Sequence, residues 1–439
     1  MFKETSKELL DFLSKSPTAF HAVENYRQIL NADGFKELLE SEHWDIVPGG
    51  KYYVTRNNTS ILAFKVGTKL DNYSFNIVTS HTDSPTFKVK ENAEIEVKNK
   101  YTQLNTEGYG GMLCATWLDR PLSIAGRVLV SEGNSIVTKL LNIDRDLLMI
   151  PNVAIHMNRA ANDGFKYNLQ VDMLPLLSAG DDRQKDFKQI IADELGVKKE
   201  DILGHDLYLY NRMAPSIWGA NEEFISSGHL DDLQCGFASL KALLAGYNDE
   251  SIDIMACFDN EEVGSGTKQG ADSTLLRDTL TRINSALGKT EDDYHRALAS
   301  SFMLSSDNAH AVHPNHPEHT DATNCTYMNE GVVVKSHAGQ KYTSDGVSMA
   351  VVKALASGAD VPLQYFANRS DKAGGSTLGN IAMAQASMNA VDIGLPQLAM
   401  HSSYETAGIK DTYYAISLMK ALFDSHIQET STHSLEIKR

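Results

Sequence analysis

Short apolar runs that stop at histidine, aspartate or glutamate recur along this chain, and they constrain its fold more than any other feature. Four runs are predicted as β-strands that lead directly into side chains of the metal-ligand type: Tyr73 to Thr79 before Ser80-His81, Ile252 to Phe258 before Asp259-Asn260-Glu261-Glu262, Phe302 to Leu304 before Ser305-Ser306-Asp307, and Leu398 to Met400 before His401. Sites in open α/β sheets form at the carboxyl ends of the strands. The pattern therefore predicts a sheet with a polar site along one edge.

Helical periodicity separates these strands. Apolar residues at helical spacing predict helices at Ala19 to Leu30, Leu233 to Leu244, Gly346 to Leu355 and Asp411 to Phe423. Near the start, Thr5-x-x-Glu8 predicts a capping box ahead of a further helix. Helices that alternate with strands favour an α/β fold, with a mainly parallel sheet covered by helices.

The middle of the chain has a different pattern. It contains short β-like pieces at Gly126 to Val130 and Ser135 to Leu140, turn residues, and one helical segment at Asp186 to Leu195. A chain of 439 residues exceeds the roughly 250 to 300 residues at which a single core stops growing. We therefore predict a catalytic domain from residues 1–92 and 225–439, interrupted by an inserted β-rich domain at residues 93–224 that serves association between subunits.

Composition narrows the class of protein. The net charge of −17 argues against a nucleic-acid partner, because phosphate backbones are bound by clustered lysine and arginine. No run approaches the roughly 18 to 20 apolar residues that cross a bilayer, so no membrane partner is expected. The four scattered cysteines and the lack of a secretory signal pattern favour a cytoplasmic protein.

Five separated motifs contain histidine, aspartate or glutamate in predicted turns. They are Ser80-His81-Thr82-Asp83-Ser84-Pro85, Gly228-His229-Leu230-Asp231-Asp232, Asp259-Asn260-Glu261-Glu262-Val263-Gly264-Ser265, the run from Ser306 to Asn315, and His401-Ser402-Ser403-Tyr404-Glu405. Mixed imidazole and carboxylate ligands suit divalent cations with some preference for nitrogen. An isolated His-x-Asp is more often structural, but five such turns in one chain predict a metal site.

The adjacent glutamates Glu261 and Glu262 follow an apolar strand directly. Two neighbouring carboxylates repel each other unless a positive charge lies nearby. Successive side chains that leave a strand point in opposite directions. One glutamate can therefore bind a metal while the other faces the attacking water.

With these motifs the chain resembles the aspartyl aminopeptidase family of metallopeptidases over nearly its whole length, from Ser16-Pro17-Thr18-Ala19-Phe20-His21 to the His401 motif. The resemblance implies two divalent metal ions per subunit, zinc first, with cobalt and manganese as alternatives. One ion would be held by His81, Asp231 and Asp307, and the other by Asp231, Glu262 and His401. Glu261 would be the general base, and Asp83 would fix His81 from behind.

The resemblance also implies functions for residues that their surroundings in the sequence leave open. His313, or His310 in its place, would stabilise the oxyanion, although His316 and His319 beside them are better explained as a solvated turn. On sequence alone His156 would be a buried core histidine and Lys335 a sheet-edge lysine, whereas in the family they lie near the substrate, His156 in the site of a neighbouring subunit. The segment Gly374 to Gly379 resembles a phosphate loop but lacks the ending of that motif, so no nucleotide is predicted. Backbone amides around Gly375 could instead hold a substrate carbonyl or carboxylate.

The implied activity is removal of the N-terminal residue from short peptides inside a homo-oligomer, commonly a dodecamer built from dimers. The resemblance also implies a cis peptide bond between Asp231 and Asp232. An arginine that is typical two residues before Glu405 is replaced by Ser403, which puts the preference for acidic N-terminal residues in question. The competing hypotheses are another two-metal hydrolase, such as a deacetylase or carboxypeptidase, and a catalytically silent scaffold with the same fold.

Overall fold

The computed structural model describes residues 1–180 and 186–438. Ten α-helices lie within this part of the chain. In chain order they are α1 Phe2–Ser14, α2 Ala19–Ala32, α3 Leu169–Asp172, α4 Phe187–Leu195, α5 Leu230–Ala245, α6 Leu275–Ala286, α7 Glu291–Ala299, α8 Gly346–Gly358, α9 Leu378–Gln385 and α10 Asp411–Phe423.

Twenty-two strands are found in the same described part. In chain order they are β1 Lys36–Glu37, β2 Lys51–Arg56, β3 Ser60–Val66, β4 Ser74–His81, β5 Thr86–Val97, β6 Tyr101–Tyr109, β7 Leu122–Glu132, β8 Ser135–Asn142, β9 Leu176–Ala179, β10 Ile202–Asn211, β11 Ser216–Trp218, β12 Phe224–Ser227, β13 Ser251–Phe258, β14 Phe302–Ser306, β15 Ala309–His310, β16 Val332–Lys335, β17 Leu363–Phe366, β18 Asn389–Gly394, β19 Pro396–Leu398, β20 Glu405–Gly408, β21 His426–Ser431 and β22 Ser434–Lys438.

A nine-stranded mixed sheet forms the centre of the molecule, in the order β1-β2-β3-β13-β4-β14-β18-β16-β17. Strand β4 pairs in parallel with both β13 and β14, and β14 pairs in parallel with β18. In this register Phe258 is opposite His81, and Ser305 is opposite Thr79. The turns that follow the three neighbouring strands β13, β4 and β14 therefore meet at one edge, as the sequence predicts.

Both faces of this sheet are covered by helices, which confirms the predicted α/β class. Because side chains alternate along a strand, Met255 and Cys257 of β13 point into a core shared with α1, α2, α5, α8 and α10. Ile254 and Ala256 point into a second core shared with α6, α7 and α9. Burying apolar residues on both faces makes the central strands almost continuously apolar.

A separate six-stranded antiparallel sheet, in the order β8-β7-β10-β5-β6-β9, lies in the middle of the chain. It has its own apolar core, in which the rings of Phe87 and Trp117 meet edge to face at 5.3 Å and α4 adds Ile191. Its strands begin at Thr86 and end at Asn211. The division into 1–92, 93–224 and 225–439 as domains stays a prediction.

A small five-stranded sheet, in the order β11-β12-β20-β19-β15, contains the strands that precede the other two ligand motifs. Strand β12 precedes the Gly228 to Asp232 turn, and β19 precedes His401. The predicted strand from Leu398 to Met400 is wrong in its bounds, because the observed strand ends at Leu398. After it, Ala399 and His401 have positive φ angles of 56° and 67°.

Two further observations concern local structure. The predicted capping box at Thr5 is wrong, because helix α1 already begins at Phe2 and Thr5 lies inside it. The peptide bond between Asp231 and Asp232 is cis, as the resemblance implied. Across the described ranges, every helix is too short or too polar to span a bilayer.

Candidate metal centre

His81 ends strand β4 and is almost completely buried, with 1% of its surface exposed. Its Nδ1 donates a hydrogen bond to the carbonyl oxygen of Asp83 at 3.0 Å. A carbonyl can only accept, so Nδ1 carries the proton and Nε2 keeps a free lone pair. That Nε2 lies 3.5 Å from Oδ1 of Asp231. The imidazole is thus oriented to use Nε2 as a ligand.

Asp231, in the first turn of α5, presents its two carboxylate oxygens to two different histidines. Oδ1 faces His81, and Oδ2 lies 3.6 Å from Nε2 of His401. The backbone N–H of Asp231 donates to Glu405 at 3.0 Å, which fixes the residue from behind. One buried carboxylate therefore faces both imidazoles.

The Glu261–Glu262 turn follows β13 and is held by Asp83. The backbone N–H groups of Glu261 and Glu262 donate to the two carboxylate oxygens of Asp83, each at 3.1 Å. Oε2 of Glu262 lies 3.4 Å from Nε2 of His401. The carboxylate of Asp83 also approaches Nδ1 of His81 to 3.4 Å, so Asp83 contacts both the histidine and the turn.

Asp307 follows β14 and lies close to His81. Single ligand atoms of His81, Asp232 and Asp307 lie within 4.8 Å of one another, as do those of Asp231, Glu262 and His401. Asp232 was not among the predicted ligands. Its Oδ2 accepts a hydrogen bond from the backbone N–H of His81 at 3.2 Å, so it also supports that histidine.

Glu405 supports two candidate ligands, although the sequence analysis names it only as the last residue of the His401 motif and gives it no role. Its carboxylate accepts the backbone N–H of Asp231 at 3.0 Å and that of His401 at 2.8 Å. Glu405 is 2% exposed, and burial raises the pKa of its carboxyl group well above the usual value. One buried side chain therefore ties the backbones of two candidate ligands together.

The six-stranded sheet also reaches the centre, which the sequence did not indicate. The Tyr109 hydroxyl, at the end of β6, donates to Oδ2 of Asp83 at 2.7 Å. The carbonyl oxygen of Gly111 accepts from Nδ1 of His401 at 2.9 Å, and the N–H of Leu113 donates to the carbonyl oxygen of His401 at 2.9 Å. Gly110, between Tyr109 and Gly111 in the sequence, has φ +75°. A Cβ added to Gly110 would lie 3.1 Å from Cβ of Glu262.

The electrostatics of the centre call for positive charge. Burial, followed by the charge of Asp231, raises the pKa of Glu262 well above its usual value, and burial raises that of Glu261 to about 8. Among the described residues, Oδ1 of Asp231, Oδ1 of Asp232 and Oε1 of Glu262 are buried without a hydrogen-bond partner. Buried polar atoms are rarely left unpaired, so these oxygens and the two imidazoles could hold divalent cations.

The remaining predicted residues lie at varying distances from this cluster. Lys335 is buried at the end of β16, inside the sheet and not at its edge. Its Nζ donates to the carbonyl oxygen of Asn308 at 2.8 Å and lies 4.0 Å from Oδ1 of Asp307. Gly375 lies in the loop ahead of α9, with open space around its Cα. His156 is exposed on the six-stranded-sheet part of the chain, so its interpretation as a core histidine is wrong.

His310 and His313 are both exposed. Both line a cavity of about 250 Å³ that Met400, the neighbour of His401, also lines. Desolvation in this cavity, then the charge of Lys335, lowers the pKa of His310, and the charges of Asp231 and His401 also act on it. His313 is exposed, and its Nδ1 accepts the N–H of Asn315 at 3.2 Å.

The chain is similar to known proteins over nearly its whole length. The model of a family described as aminopeptidase I zinc metalloprotease (M18) matches residues 12–423. The chain is 48% identical over 425 residues to the probable M18 family aminopeptidase 2 of Clostridium novyi, covering 95% of this chain and 98% of that protein.

Solved structures show the same relationship. A chain in the cryo-EM structure of the Ape4 and Nbr1 complex superposes with a TM-score of 0.93 at 35% identity, covering 96% of this chain and 86% of that chain. The S. cerevisiae mApe1 dodecamer superposes with a TM-score of 0.84 at 28% identity, covering 96% and 97%. The chain therefore belongs to the M18 family of zinc aminopeptidases.

Proposed function

We propose that this chain hydrolyses the N-terminal peptide bond of short peptides with two divalent metal ions per subunit, and that it prefers acidic N-terminal residues. The observation that carries the proposal is the position of Asp231, whose two carboxylate oxygens face His81 and His401 at 3.5 and 3.6 Å. Zinc is the first choice for both positions, with cobalt and manganese as alternatives.

We propose Asp231, Glu262 and His401 for one position, whose ligand atoms lie within 4.8 Å of one another. His81, Asp231 and Asp307 would hold the other ion, although the group within 4.8 Å there is His81, Asp232 and Asp307. When bound, such a pair of dications lowers the pKa of water and stabilises negative charge on the substrate oxygen. The unpaired oxygens of Asp231 and Glu262 support this assignment, because divalent cations would satisfy them.

Glu261 is proposed as the general base. Its backbone N–H is fixed by Asp83, and its carboxylate lies within 4.8 Å of ligand atoms of both His81 and Glu262, next to the proposed ions. Burial raises the pKa of Glu261 to about 8 in the absence of cations, and nearby positive charge would lower it again. An ionised Glu261 takes a proton from the attacking water and delivers it to the leaving amine.

An imidazole in the adjoining cavity would stabilise the oxyanion. We propose His313 for this role, with His310 as the alternative, because both imidazoles are exposed to the same cavity. A neutral imidazole N–H aimed at the developing charge acts as an oxyanion donor.

The preference for acidic N-terminal residues is proposed from positive charge near the cluster. Lys335 is buried beside Asp307, and Lys372 lines the cavity that Met400 also lines. These cations stand out in a chain whose net charge is −17. Backbone amides around Gly375 would add contacts to a substrate carbonyl or carboxylate.

We further propose a cytoplasmic homo-oligomer, a dodecamer like the one that the S. cerevisiae mApe1 structure describes. The segment around His156 supports subunit contact, because Val153, Ile155 and Met157 are 50%, 48% and 78% exposed. In such an assembly His156 would reach the centre of a neighbouring subunit.

The test is a panel of aminoacyl-anilides with different N-terminal residues, assayed beside N-acylated amino acids, with metal content measured on the same sample. We expect hydrolysis of free-amine substrates, fastest with N-terminal aspartate or glutamate, at about two metal ions per subunit. Cleavage of only the acylated compounds would make the chain a deacylase and overturn the proposal.

A further inference from the structure

A row of three imidazoles lies on the loop that follows β15, outside the candidate metal centre. Their spacing is His-x-x-His-x-x-His, at His313, His316 and His319. The backbone N–H of His316 donates to the carbonyl of His313 at 3.0 Å, and that of His319 to the carbonyl of His316 at 3.2 Å. Such i to i+3 bonds give about three residues per turn, which places side chains at i and i+3 above one another.

The rings confirm this register. The centroids of His313 and His316 are 5.5 Å apart, and those of His316 and His319 are 5.3 Å apart with an interplanar angle of 22°. Pro317 begins the short 3₁₀-helix Pro317–His319, so the backbone already holds the rings together. The loop is thus a built arrangement of imidazoles and not only a solvated turn.

Glu318 adds a carboxylate to this row. Its Oε1 lies 3.0 Å from Nδ1 of His316, although both side chains are largely exposed, 59% and 58%. One ligand atom from each of His316, Glu318 and His319 lies within 4.8 Å of the other two. Two imidazoles and one carboxylate form a ligand set that zinc and similar cations bind.

The immediate surroundings allow a cation. Arg369 donates to the carbonyl oxygen of Glu318, but its guanidinium is neutralised by Asp371, with two hydrogen bonds of 2.9 Å. His319 and His313 also line a cavity of about 250 Å³, whose lining includes none of the candidate metal ligands.

We propose that His316, Glu318 and His319 form an additional divalent-metal site, distinct from the candidate centre, that takes zinc or another cation with a preference for nitrogen ligands. The site is exposed and has three protein ligands, so water completes its coordination. It fills from excess zinc after the more enclosed centre is occupied.

The experiment uses the full-length zinc-loaded protein, desalted to remove loosely held metal and then titrated with Zn²⁺ by calorimetry. The wild type is expected to bind further zinc beyond the amount retained after desalting. The substitutions His316→Ala and Glu318→Gln should each weaken that binding by about tenfold or more, since even indirect metal partners are worth 10- to 100-fold.

The matched control is His295→Ala. His295 is 65% exposed and lies 3.9 Å from Glu291, so it is also a histidine beside a glutamate, on the surface of α7. Zinc binding that is weakened by His316→Ala and Glu318→Gln but not by His295→Ala supports the site. The proposal is overturned if the wild type takes up no further zinc, or if His316→Ala binds it like the wild type or is weakened no more than the control.

Discussion

The hydroxyl group of Tyr109, at the end of β6 in the six-stranded sheet, lies 2.7 Å from Oδ2 of Asp83, in the loop that follows β4 of the nine-stranded sheet. The same hydroxyl accepts a hydrogen bond from Nδ2 of Asn260 at 2.7 Å. Asp83 in turn holds the backbone of Glu261 and Glu262. The six-stranded sheet therefore supports the candidate metal centre in addition to any part that it has in subunit contact.

Removing the Tyr109 hydroxyl should loosen this support. We expect Tyr109→Phe to fold normally but to lose zinc to a chelator about 10- to 100-fold more readily, the range found when groups behind metal ligands are lost. The rate of zinc transfer to a chromophoric chelator measures this. Tyr208→Phe is the control, because its ring packs edge to face on Tyr109 at 5.7 Å within the same cavity. Equal zinc retention by Tyr109→Phe and wild type would show that Asp83 needs no help from the tyrosine.

The two adjacent glutamates should fail in different ways when each is replaced. Glu261→Gln should keep its metals and assembly yet lose kcat by about 10² to 10⁴, because a general base contributes that much. Glu262→Gln should instead lose metal, since its carboxylate faces His401. Metal content and kcat, measured on both variants, separate the roles. Unchanged turnover in Glu261→Gln would remove that residue from the mechanism.

The turns with His81, Glu261, Glu262 and Asp307 could be predicted because each follows an apolar strand, and the parallel strands β13, β4 and β14 bring those turns together. Apart from Asp83, the supports around the ligands could not be predicted. Gly111 and His401 are 290 residues apart, and their contact is made by a backbone carbonyl that any residue could supply. Glu405 likewise binds backbone N–H groups, so the residues it contacts carry no pattern. Such contacts depend on tertiary packing, which local periodicity does not encode.

Stability should fall as pH rises because of Asp253 in β13, at the amino end of the strand and away from the centre. Burial raises the pKa of Asp253 to about 8, while the unfolded chain titrates near 3.8. Between these values the folded protein holds a proton that the unfolded chain has released, so raising the pH favours unfolding. The slope for one proton is at most about 1.4 kcal/mol per pH unit.

Asp253→Asn should flatten that slope. An asparagine oxygen can still accept from Ser251 and Asn76, which now donate to Oδ1 at 2.9 and 3.1 Å, but it cannot ionise. Urea unfolding at pH 6 and pH 8 measures the difference. The exposed Asp163→Asn serves as the control and should follow the wild type. Parallel pH dependence of Asp253→Asn and wild type would contradict the prediction.

Lys335 offers a test of how acidic substrates are recognised. Its Nζ uses one donor on the carbonyl of Asn308, and its charge lies 4.0 Å from Oδ1 of Asp307. Two donors remain for a substrate carboxylate, and a hydrogen bond to a charged group is worth about 1.5 to 3 kcal/mol. We therefore expect Lys335→Met to lower kcat/KM for N-terminal aspartate or glutamate by about tenfold more than for N-terminal alanine or leucine. The exposed Lys353→Met should leave this ratio unchanged. Equal losses on all substrates, with metal content measured in parallel, would instead mean that Lys335 acts only by neutralising Asp307, and would contradict its role in the acidic preference.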